Sequence, residues 1–230
     1  MSLIELKDLK RNYRSFPALR GLDLSLEAGH IVGLMGPNGS GKTTLLRILG
    51  AFDMSYSGEV LINGKKPGLE SRAITSYLPD RPSFPEHNTP IQLIRLYQRF
   101  FSDFNDQKAR KMLESLDLDL AQPLSEMSKG MKEKVQVVMT MSRDAKIYLL
   151  DEPISGVDPA ARHVILKLIL ENYNPDSLLI LSTHQIHDIE AVIDDVIFLK
   201  WGEITLFDNA DAVREREHKS INELFEEVFQ

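Results

Sequence analysis

The chain has 230 residues, of which 43% are hydrophobic and 27% charged, so its length and composition fit one folded domain and exclude a disordered protein. It carries 34 acidic residues against 27 Lys and Arg, and the net charge of −7 argues against a protein whose main task is to bind nucleic acid or an anionic membrane surface. It has no cysteine, which excludes disulfides, thiolate catalysis and thiolate metal sites.

The first residues and the longest apolar runs bear on membrane association. Residues 2–8 interrupt their apolar side chains with charges, which is not the pattern of a signal peptide. No apolar run approaches the roughly 20 residues that a bilayer-spanning helix needs. We therefore expect any membrane role to depend on a partner chain.

The N-terminal third predicts strands followed by a loop and a helix. Residues 3–31 alternate weakly between apolar and polar and contain Gly21 and Gly29, which predicts antiparallel strands and turns. The short apolar run 32–35 then leads into the glycine-rich segment 36–43, and residues 44–49 have a helical pattern.

The segment from about residue 80 to 143 differs from the strand-rich regions on either side. It opens with three prolines and then shows only helical spacing. Apolar residues recur every three to four positions at Leu93, Leu96, Tyr97, Phe100, Phe101 and Phe104. We predict a helical insertion between strands of the sheet.

The last third predicts a strand–helix–strand unit and a helical tail. The uninterrupted apolar runs 147–150 and 178–182 are typical of parallel strands covered on both faces. Between them, residues 159–173 predict a helix with Asp158 as its N-cap. The tail from about 208 to 230 is charged and then amphipathic, and we expect a helix packed on the body in preference to a partner-binding helix.

Residues 36–43 match the phosphate-binding pattern G-x-x-x-x-G-K-[ST]. Glycines let successive backbone N–H groups converge on one phosphate cluster, and the next helix adds its positive N-terminal end. Lys42 would reach the β- and γ-phosphates, and the Thr43 hydroxyl would ligate Mg²⁺. A structural glycine turn is the alternative, and the position between a strand and a helix favours the phosphate site. The predicted nucleotide-binding residues are Gly36, Pro37, Asn38, Gly39, Ser40, Gly41, Lys42, Thr43 and Thr44.

Two acids, Asp151 and Glu152, close the apolar run 147–150. A carboxylate there can hold the water shell of a phosphate-bound Mg²⁺, a role that we assign to Asp151. Glu152 would point the other way along the pleat and polarise a water for attack on the γ-phosphate. Such acid pairs are common by themselves, and it is the glycine loop that makes this one a candidate for ATP hydrolysis.

Two further residues have an ordinary interpretation when each is taken alone. His184 follows the strand 178–182 and, taken alone, would be structural or exposed. A zinc site there is not expected, because His187 is poorly placed as a second ligand and the sequence offers no third ligand nearby. Ser128 precedes an apolar helix that runs to about Met141 and would be an N-cap.

Together these motifs resemble, in order and spacing, the nucleotide-binding subunit of ATP-binding cassette (ABC) transporters from residue 3 to about residue 205. The resemblance implies a single domain over residues 1–230 with an α/β fold of the P-loop NTPase type. Its parts would be a mainly parallel core sheet flanked by helices, an N-terminal antiparallel β subdomain and an inserted α-helical subdomain.

The resemblance also gives roles to single residues. It implies ATP and Mg²⁺ as cofactors, with Thr43, Asp151 and Asp80 near the metal. Catalysis would involve Glu152 as the base, Lys42 and the switch histidine His184. Further nucleotide contacts would come from Tyr13, which matches the aromatic residue that stacks on adenine, and from Ser128, Gly130 and Asp158 of the signature segment and D-loop.

Two positions depart from the family pattern. The signature segment, usually LSGGQ, has Lys129 in place of the first glycine and Met131 in place of glutamine. The Q-loop position holds Asp80 in place of glutamine, which adds negative charge near the phosphates. Both departures concern the coupling between transport and catalysis.

The family resemblance finally implies partners and a location. Two copies, or this chain and a second ATPase subunit, would sandwich ATP, and a separate integral-membrane permease would contact the helical insertion. The chain would lie in the cytoplasm at the inner face of the cell membrane, and no nucleic acid is expected. The signature segment looks more like those of ABC-2-type exporters than of importers.

Two other kinds of protein fit the sequence less well. A soluble ABC ATPase of the translation or DNA-repair type usually has two cassettes or a long coiled coil, and neither feature is seen in this sequence. A P-loop kinase would need a lid for the phosphate acceptor and would leave Ser128 and His184 without a role.

Overall fold

The structure, a computed structural model, describes residues 2–81 and 83–229. Its strands, in chain order, are β1 (Ser2–Tyr13), β2 (Phe16–Glu27), β3 (Ile31–Met35), β4 (Ser57–Ile62), β5 (Thr75–Leu78), β6 (Ile147–Asp151), β7 (Leu178–Thr183), β8 (Asp195–Lys200) and β9 (Glu203–Asn209). Its helices are α1 (Lys42–Leu49), α2 (Leu69–Ala73), α3 (Pro90–Phe100), α4 (Asp106–Ser115), α5 (Lys129–Met141), α6 (Pro159–Asn172), α7 (Ala210–Glu217) and α8 (Ile221–Phe229), with short 3-10 turns at Leu124–Glu126 and Ile186–Asp188.

The strands form two sheets. The N-terminal sheet is antiparallel with the order β2-β1-β4, as the weak alternation of residues 3–31 predicts for the first two strands. The core sheet has the order β5-β6-β7-β3-β8-β9, in which all neighbours are parallel except the last pair. The predicted fold, a mainly parallel core sheet with an antiparallel N-terminal sheet, is confirmed.

The central parallel strands β3, β6 and β7 of the core sheet are buried on both faces, because their side chains alternate between two hydrophobic clusters. In β6, Ile147 and Leu149 belong to the cluster shared with α1 and the antiparallel sheet. Tyr148 and Leu150 belong to the cluster that contains residues of α5, α6 and the tail. This explains why the strand is apolar at every position from Ile147 to Leu150 and not only at alternate ones.

Helices α3, α4 and α5 all lie between β5 and β6 in the chain, at one edge of the core sheet. Their first turns are capped by the side chains of Thr89, Asn105 and Ser128, respectively. The helical spacing that we extended to Phe104 is wrong at its end, because α3 stops at Phe100. The chain turns there, and the ring of Phe104 contacts that of Tyr97.

The tail packs on the body, as its amphipathic pattern predicts. Strand β9 continues to Asn209, so the helical part begins two residues after the predicted start. Phe225 and Phe229 of α8 both make edge contacts with the ring of Phe198 in the core sheet. Across residues 2–81 and 83–229, no helix is long and apolar enough to cross a bilayer.

Candidate active site

The carboxyl ends of parallel strands of the core sheet meet at one edge, where α/β sheets commonly bind ligands. The loops after β3, β5, β6 and β7 all emerge there and border a cavity of about 510 Å³. The cavity is lined by Tyr13, Phe16, Ala18, Asn38, Gly39, Ser40, Gly41, Lys42, Thr43, Thr44, Asp80, Glu152, Ser155 and His184. Most of the residues predicted from the sequence are therefore brought together.

The phosphate loop depends on backbone conformations that favour glycine. Gly41 has a φ of +114°, and a Cβ there would lie 2.8 Å from the carbonyl oxygen of Ala18. Gly41 is also the N-cap of α1, and in the described part of the chain no side chain caps the first N–H groups of this helix. The first turn of α1 holds no acid. These N–H groups and the helix dipole are thus available to an anion in the cavity.

Lys42 brings a cation into this loop. Its side chain is only 6% exposed, and its ammonium donates to the carbonyl oxygens of Gly36 (2.6 Å) and Pro37 (3.4 Å). The same ammonium lies 3.3 Å from Oε1 of Glu152. A phosphate group that enters the cavity could replace the longer of these contacts and accept N–H donors of the ammonium.

Asp151 lies at the end of β6 and is fully buried. Its Oδ1 accepts hydrogen bonds from the hydroxyls of Thr43 (3.2 Å) and Ser182 (2.8 Å). Its Oδ2 is buried and has no hydrogen-bond partner among the described residues. The carboxylate thus has one oxygen fixed and one unused.

Burial raises the pKa of the Asp151 carboxyl above its usual value, and the negative charges of Asp80 and Glu152 act in the same direction. The hydrogen bonds from Ser182 and Thr43 offset only part of this effect. A cation close to Oδ2 would stabilise the ionised form.

The donor set fits Mg²⁺. Magnesium prefers oxygen ligands and usually keeps several waters beside one or two carboxylates and substrate phosphates. Asp151 offers its unused Oδ2, and Thr43 offers a hydroxyl next to it. Within residues 2–81 and 83–229, no three His, Asp or Glu side chains form a ready-made metal cluster, so phosphate and water would have to complete the coordination.

Glu152 occupies a strained position between two side chains of the site. Its φ of +50° is uncommon for a residue with a side chain, and such strain clusters at functional sites. Its Oε2 lies 2.9 Å from Nδ1 of His184, while Oε1 faces the ammonium of Lys42. The side chain is 10% exposed and lines the cavity. A carboxylate held in this way can accept a proton from a water in the cavity.

Asp80 follows β5 and Pro79 and lines the same cavity with a half-exposed side chain. The side-chain amide of Gln136 in α5 donates to the carbonyl oxygen of Pro79 (3.1 Å), so the loop that carries Asp80 is attached to the helical segment. The carboxylate lies 3.9 Å from Nε of Arg81 and acts on Asp151 through its charge.

Tyr13 and Phe16 face each other in register at the end of the β1–β2 hairpin, and both line the cavity. Their side chains are 41% and 59% exposed, respectively. The structure therefore places two partly exposed aromatic rings beside the phosphate loop, of which the family resemblance implied only Tyr13.

Six of the predicted site residues are not among the described residues that line the cavity, and one of them is the buried Asp151. Ser128 caps α5 by accepting a hydrogen bond from the backbone of Met131, and Gly130 lies in the first turn of that helix. Asp158 caps α6 through the backbone of Ala161. The other two, Gly36 and Pro37, contribute the carbonyl oxygens that hold Lys42.

Ser182 is a site residue that we did not predict. Its hydroxyl donates to Asp151 and also accepts a hydrogen bond from the backbone N–H of Glu152 (3.0 Å), so it fixes both acids. Ser155 also lines the cavity. The parallel pairing of Asp151 with Ser182 is the signal that would have found the former, because it puts the two residues side by side.

Comparisons with known proteins agree with this geometry. The family model described as "ABC transporter" matches residues 19–155. The chain is 29% identical over 218 residues to the ABC transporter ATP-binding protein YtrB of Bacillus subtilis (strain 168), covering 93% of this chain and 74% of that protein. It is also 29% identical to the glutamine transport ATP-binding protein GlnQ of Escherichia coli (strain K12), over 88% of this chain and 89% of that one.

A solved structure described as the ATP binding subunit of an ABC transporter superposes with a TM-score of 0.88 at 27% identity, covering 98% of this chain and 99% of that one. The matched family segment contains the phosphate loop, Asp80, both acids of β6 and the signature segment. The chain belongs to the ABC transporter family, as an ATP-binding subunit.

Proposed function

We propose that this chain hydrolyses ATP to ADP and phosphate and that this reaction powers a membrane transporter. The observation that carries the proposal is the position of the Glu152 carboxylate, which lies between Lys42 and His184 at the wall of the phosphate-loop cavity. A carboxylate there is within reach of both a bound phosphate chain and its attacking water.

Each residue has a distinct task in the proposed reaction. The N–H groups of the phosphate loop and the Lys42 ammonium bind the phosphates. Thr43 and Asp151 would hold Mg²⁺, which would supply charge neutralisation. Glu152 orients the water and accepts its proton, and His184 contacts the γ-phosphate. Because Lys42 is paired with Glu152 in the structure, we expect the incoming triphosphate to draw the ammonium away and free Oε1 for the water.

We further propose that the working unit is a dimer, either of two copies or with a second ATPase subunit. Ser128 and Gly130 lie at the exposed start of α5 and not in the cavity of their own chain. A second subunit placed head to tail would bring them to the phosphates that the first subunit binds. The exposed charge of Lys129 would then lie near the same phosphates.

The permease contact is proposed for the helical segment 80–143. Leu96 and Phe100 of α3 lie four positions apart on one face of the helix and expose 43% and 69% of their surface, which leaves them available to a partner. The chain would then be peripheral at the cytoplasmic face of the membrane. We favour an exporter because the segment from Ser128 to Met131 resembles that of ABC-2-type subunits.

The experiment that tests the reaction is phosphate release by the wild type and by Lys42→Ala. Losing hydrogen bonds from a charged group costs about 1.5–3 kcal/mol, so ATP affinity should fall by about 10- to 150-fold. Lys167→Ala on exposed α6 is the matched control and should leave both affinity and turnover unchanged. Equal ATP binding and equal turnover of wild type and Lys42→Ala would defeat the proposed function.

A further inference from the structure

The Tyr13 side chain is held by two charged residues that lie outside the cavity. Its hydroxyl donates to Oδ2 of Asp53 (2.9 Å), and Nε of Arg11 donates to the same oxygen (2.8 Å). The guanidinium carbon of Arg11 lies 4.1 Å from the centroid of the Tyr13 ring. One carboxylate therefore fixes the ring by its hydroxyl and fixes the cation that lies over its face.

The charged pair is well shielded from solvent. The side chains of Arg11 and Asp53 are 15% and 9% exposed. Burial by itself would raise the pKa of Asp53, but the hydrogen bonds from the Ser55 backbone, Arg11 and Tyr13 outweigh it and leave the pKa below its usual value. The carboxylate is therefore ionised at neutral pH, and the ion pair persists.

The two sides of the Tyr13 ring have different surroundings. Tyr13 lines the cavity beside the phosphate loop, whereas neither Arg11 nor Asp53 is among the described residues that line it. The guanidinium therefore lies over the face of the Tyr13 ring that points away from the cavity. A cation over one face of an aromatic ring is attracted by its electrons and leaves the opposite face available for stacking.

We propose that Arg11 and Asp53 are positioning residues for the nucleotide base: they hold the Tyr13 ring as a platform on which the purine of the nucleoside triphosphate stacks. The guanidinium, the phenol ring and the purine would then be stacked in that order. This inference rests on the proposed function, since it assigns a base to the same cavity. It also makes the Tyr13 hydroxyl part of the site, because that group is bonded to Asp53.

A purely structural role for the same contacts is the competing explanation, because they connect β1 to the segment that follows α1. The two explanations differ in what they predict for ligands that have no base. A platform residue affects ATP only, whereas a residue that supports the fold or the phosphate loop affects every ligand of the cavity. Inorganic tripolyphosphate, which has phosphates but no base, separates the two.

The experiment is calorimetry of ATP and of inorganic tripolyphosphate with the full chain. We expect Tyr13→Ala to weaken ATP about 5- to 150-fold, as for loss of base stacking, and Arg11→Leu to weaken it about three- to tenfold. Tyr13→Phe should also weaken ATP, by about two- to fivefold, through loss of the hydroxyl bond. Tripolyphosphate affinity should stay within about twofold for all three variants. Arg20→Leu on exposed β2 is the matched control and should change neither ligand.

Combining Arg11→Leu with Tyr13→Ala gives the decisive readout. If the guanidinium acts only through the ring, adding Arg11→Leu to Tyr13→Ala should change ATP affinity by less than about twofold. The proposal is overturned if Arg11→Leu leaves ATP affinity unchanged or lowers tripolyphosphate affinity as much as ATP affinity. It is also overturned if Arg11→Leu lowers ATP affinity as much in the Tyr13→Ala background as in the wild type. A wild type that binds neither ligand, or a Lys42→Ala variant that binds both as wild type does, would instead defeat the proposed function.

Discussion

The phosphate loop with its acids and the signature segment, the two parts of the proposed site, have different surroundings in the structure. The side chains of the first are held in place by contacts within the chain: Lys42 is nearly buried, Asp151 is fully buried, and each has polar partners. The second, around Ser128, is exposed at the start of α5, where Ser128 accepts the hydrogen bond of a helix cap and the Lys129 ammonium lies near the carbonyl oxygen of Gly156 and the carboxylate of Glu133.

The difference indicates how the site is divided. Residues that must be desolvated to bind phosphate and metal are preorganised by the core sheet, so one chain can bind a nucleotide. Ser128 and Gly130 do not line the phosphate-loop cavity formed by the described residues of their own chain, and in the proposed dimer they would act on phosphates that the second subunit binds. The two regions should therefore respond differently to mutation, the first within one chain and the second only in the dimer.

The largest expected effect comes from the preorganised region. Glu152→Gln removes the proton acceptor and keeps the shape, so we expect ATP hydrolysis to fall by about 10²–10⁴-fold while ATP affinity is kept. Glu171→Gln on the exposed face of α6 is the control and should hydrolyse ATP at the wild-type rate. Phosphate release under single-turnover conditions measures both, and a Glu152→Gln rate near wild type would remove this residue from the role of base.

We expect the buried Asp151 carboxylate, which is positioned to bind a metal, to lower the stability of the folded protein when no metal is bound. Its pKa is raised in the folded protein, so the folded state binds the proton more tightly, and stability falls as the pH rises from 3.8 through the raised value. At neutral pH Asp151 is ionised, and the full free-energy cost of burying its charge lowers the stability of the folded protein. Asp151→Asn removes that charge and its cost.

In EDTA we therefore expect Asp151→Asn to unfold at a higher temperature than the wild type, by about 2–4 °C for each kcal/mol of stability gained. Adding Mg²⁺ with ATP should narrow this difference in unfolding temperature. The difference should shrink as the pH is lowered towards 3.8. Thermal unfolding at several pH values measures it. A variant less stable than the wild type at neutral pH would show that hydrogen bonds at Oδ1 outweigh the burial of charge.

A smaller effect is expected at Asp80, where the structure shows a half-exposed carboxylate beside the cavity. Asp80→Gln should leave hydrolysis intact and reduce its dependence on Mg²⁺ concentration by about two- to fivefold, because exposed charge interactions are worth about 0.2–1 kcal/mol. Asp80→Ala should mainly reduce the response to the permease. Rates against Mg²⁺ concentration for these variants and for the control Asp176→Gln test this, and coincident curves would make Asp80 an ordinary loop acid.

Much of the fold and of the phosphate site could be predicted from local patterns. Apolar runs located β3, β6 and β7, and the glycine spacing located the loop around Lys42, because these features depend on neighbours in the sequence. The end of α3 could not be predicted, since the aromatic spacing continues past Phe100 while the backbone turns away. The bond of Tyr13 to Asp53 joins residues 40 positions apart, and no periodicity reports such a contact.

The left-handed backbone of Glu152 is a second feature that the sequence concealed. We expected the carboxylate to be placed by the alternation of an ordinary strand, but β6 ends at Asp151 and the chain turns. That turn places the carboxylate between Lys42 and His184. Tertiary contacts decided the geometry, and the residue types alone indicated only the chemistry.

The most direct test of the divided site is the mass of the Glu152→Gln protein in ATP, measured by light scattering during gel filtration, with and without Ser128→Arg. The account predicts that Glu152→Gln forms a dimer when ATP is bound. Adding Ser128→Arg should keep the protein monomeric while each chain still binds ATP, and Ser115→Arg at the exposed end of α4 should leave the dimer intact. A Ser128→Arg protein that dimerises as before, or that loses ATP binding as a monomer, would contradict the assignment of this segment to the partner's phosphates.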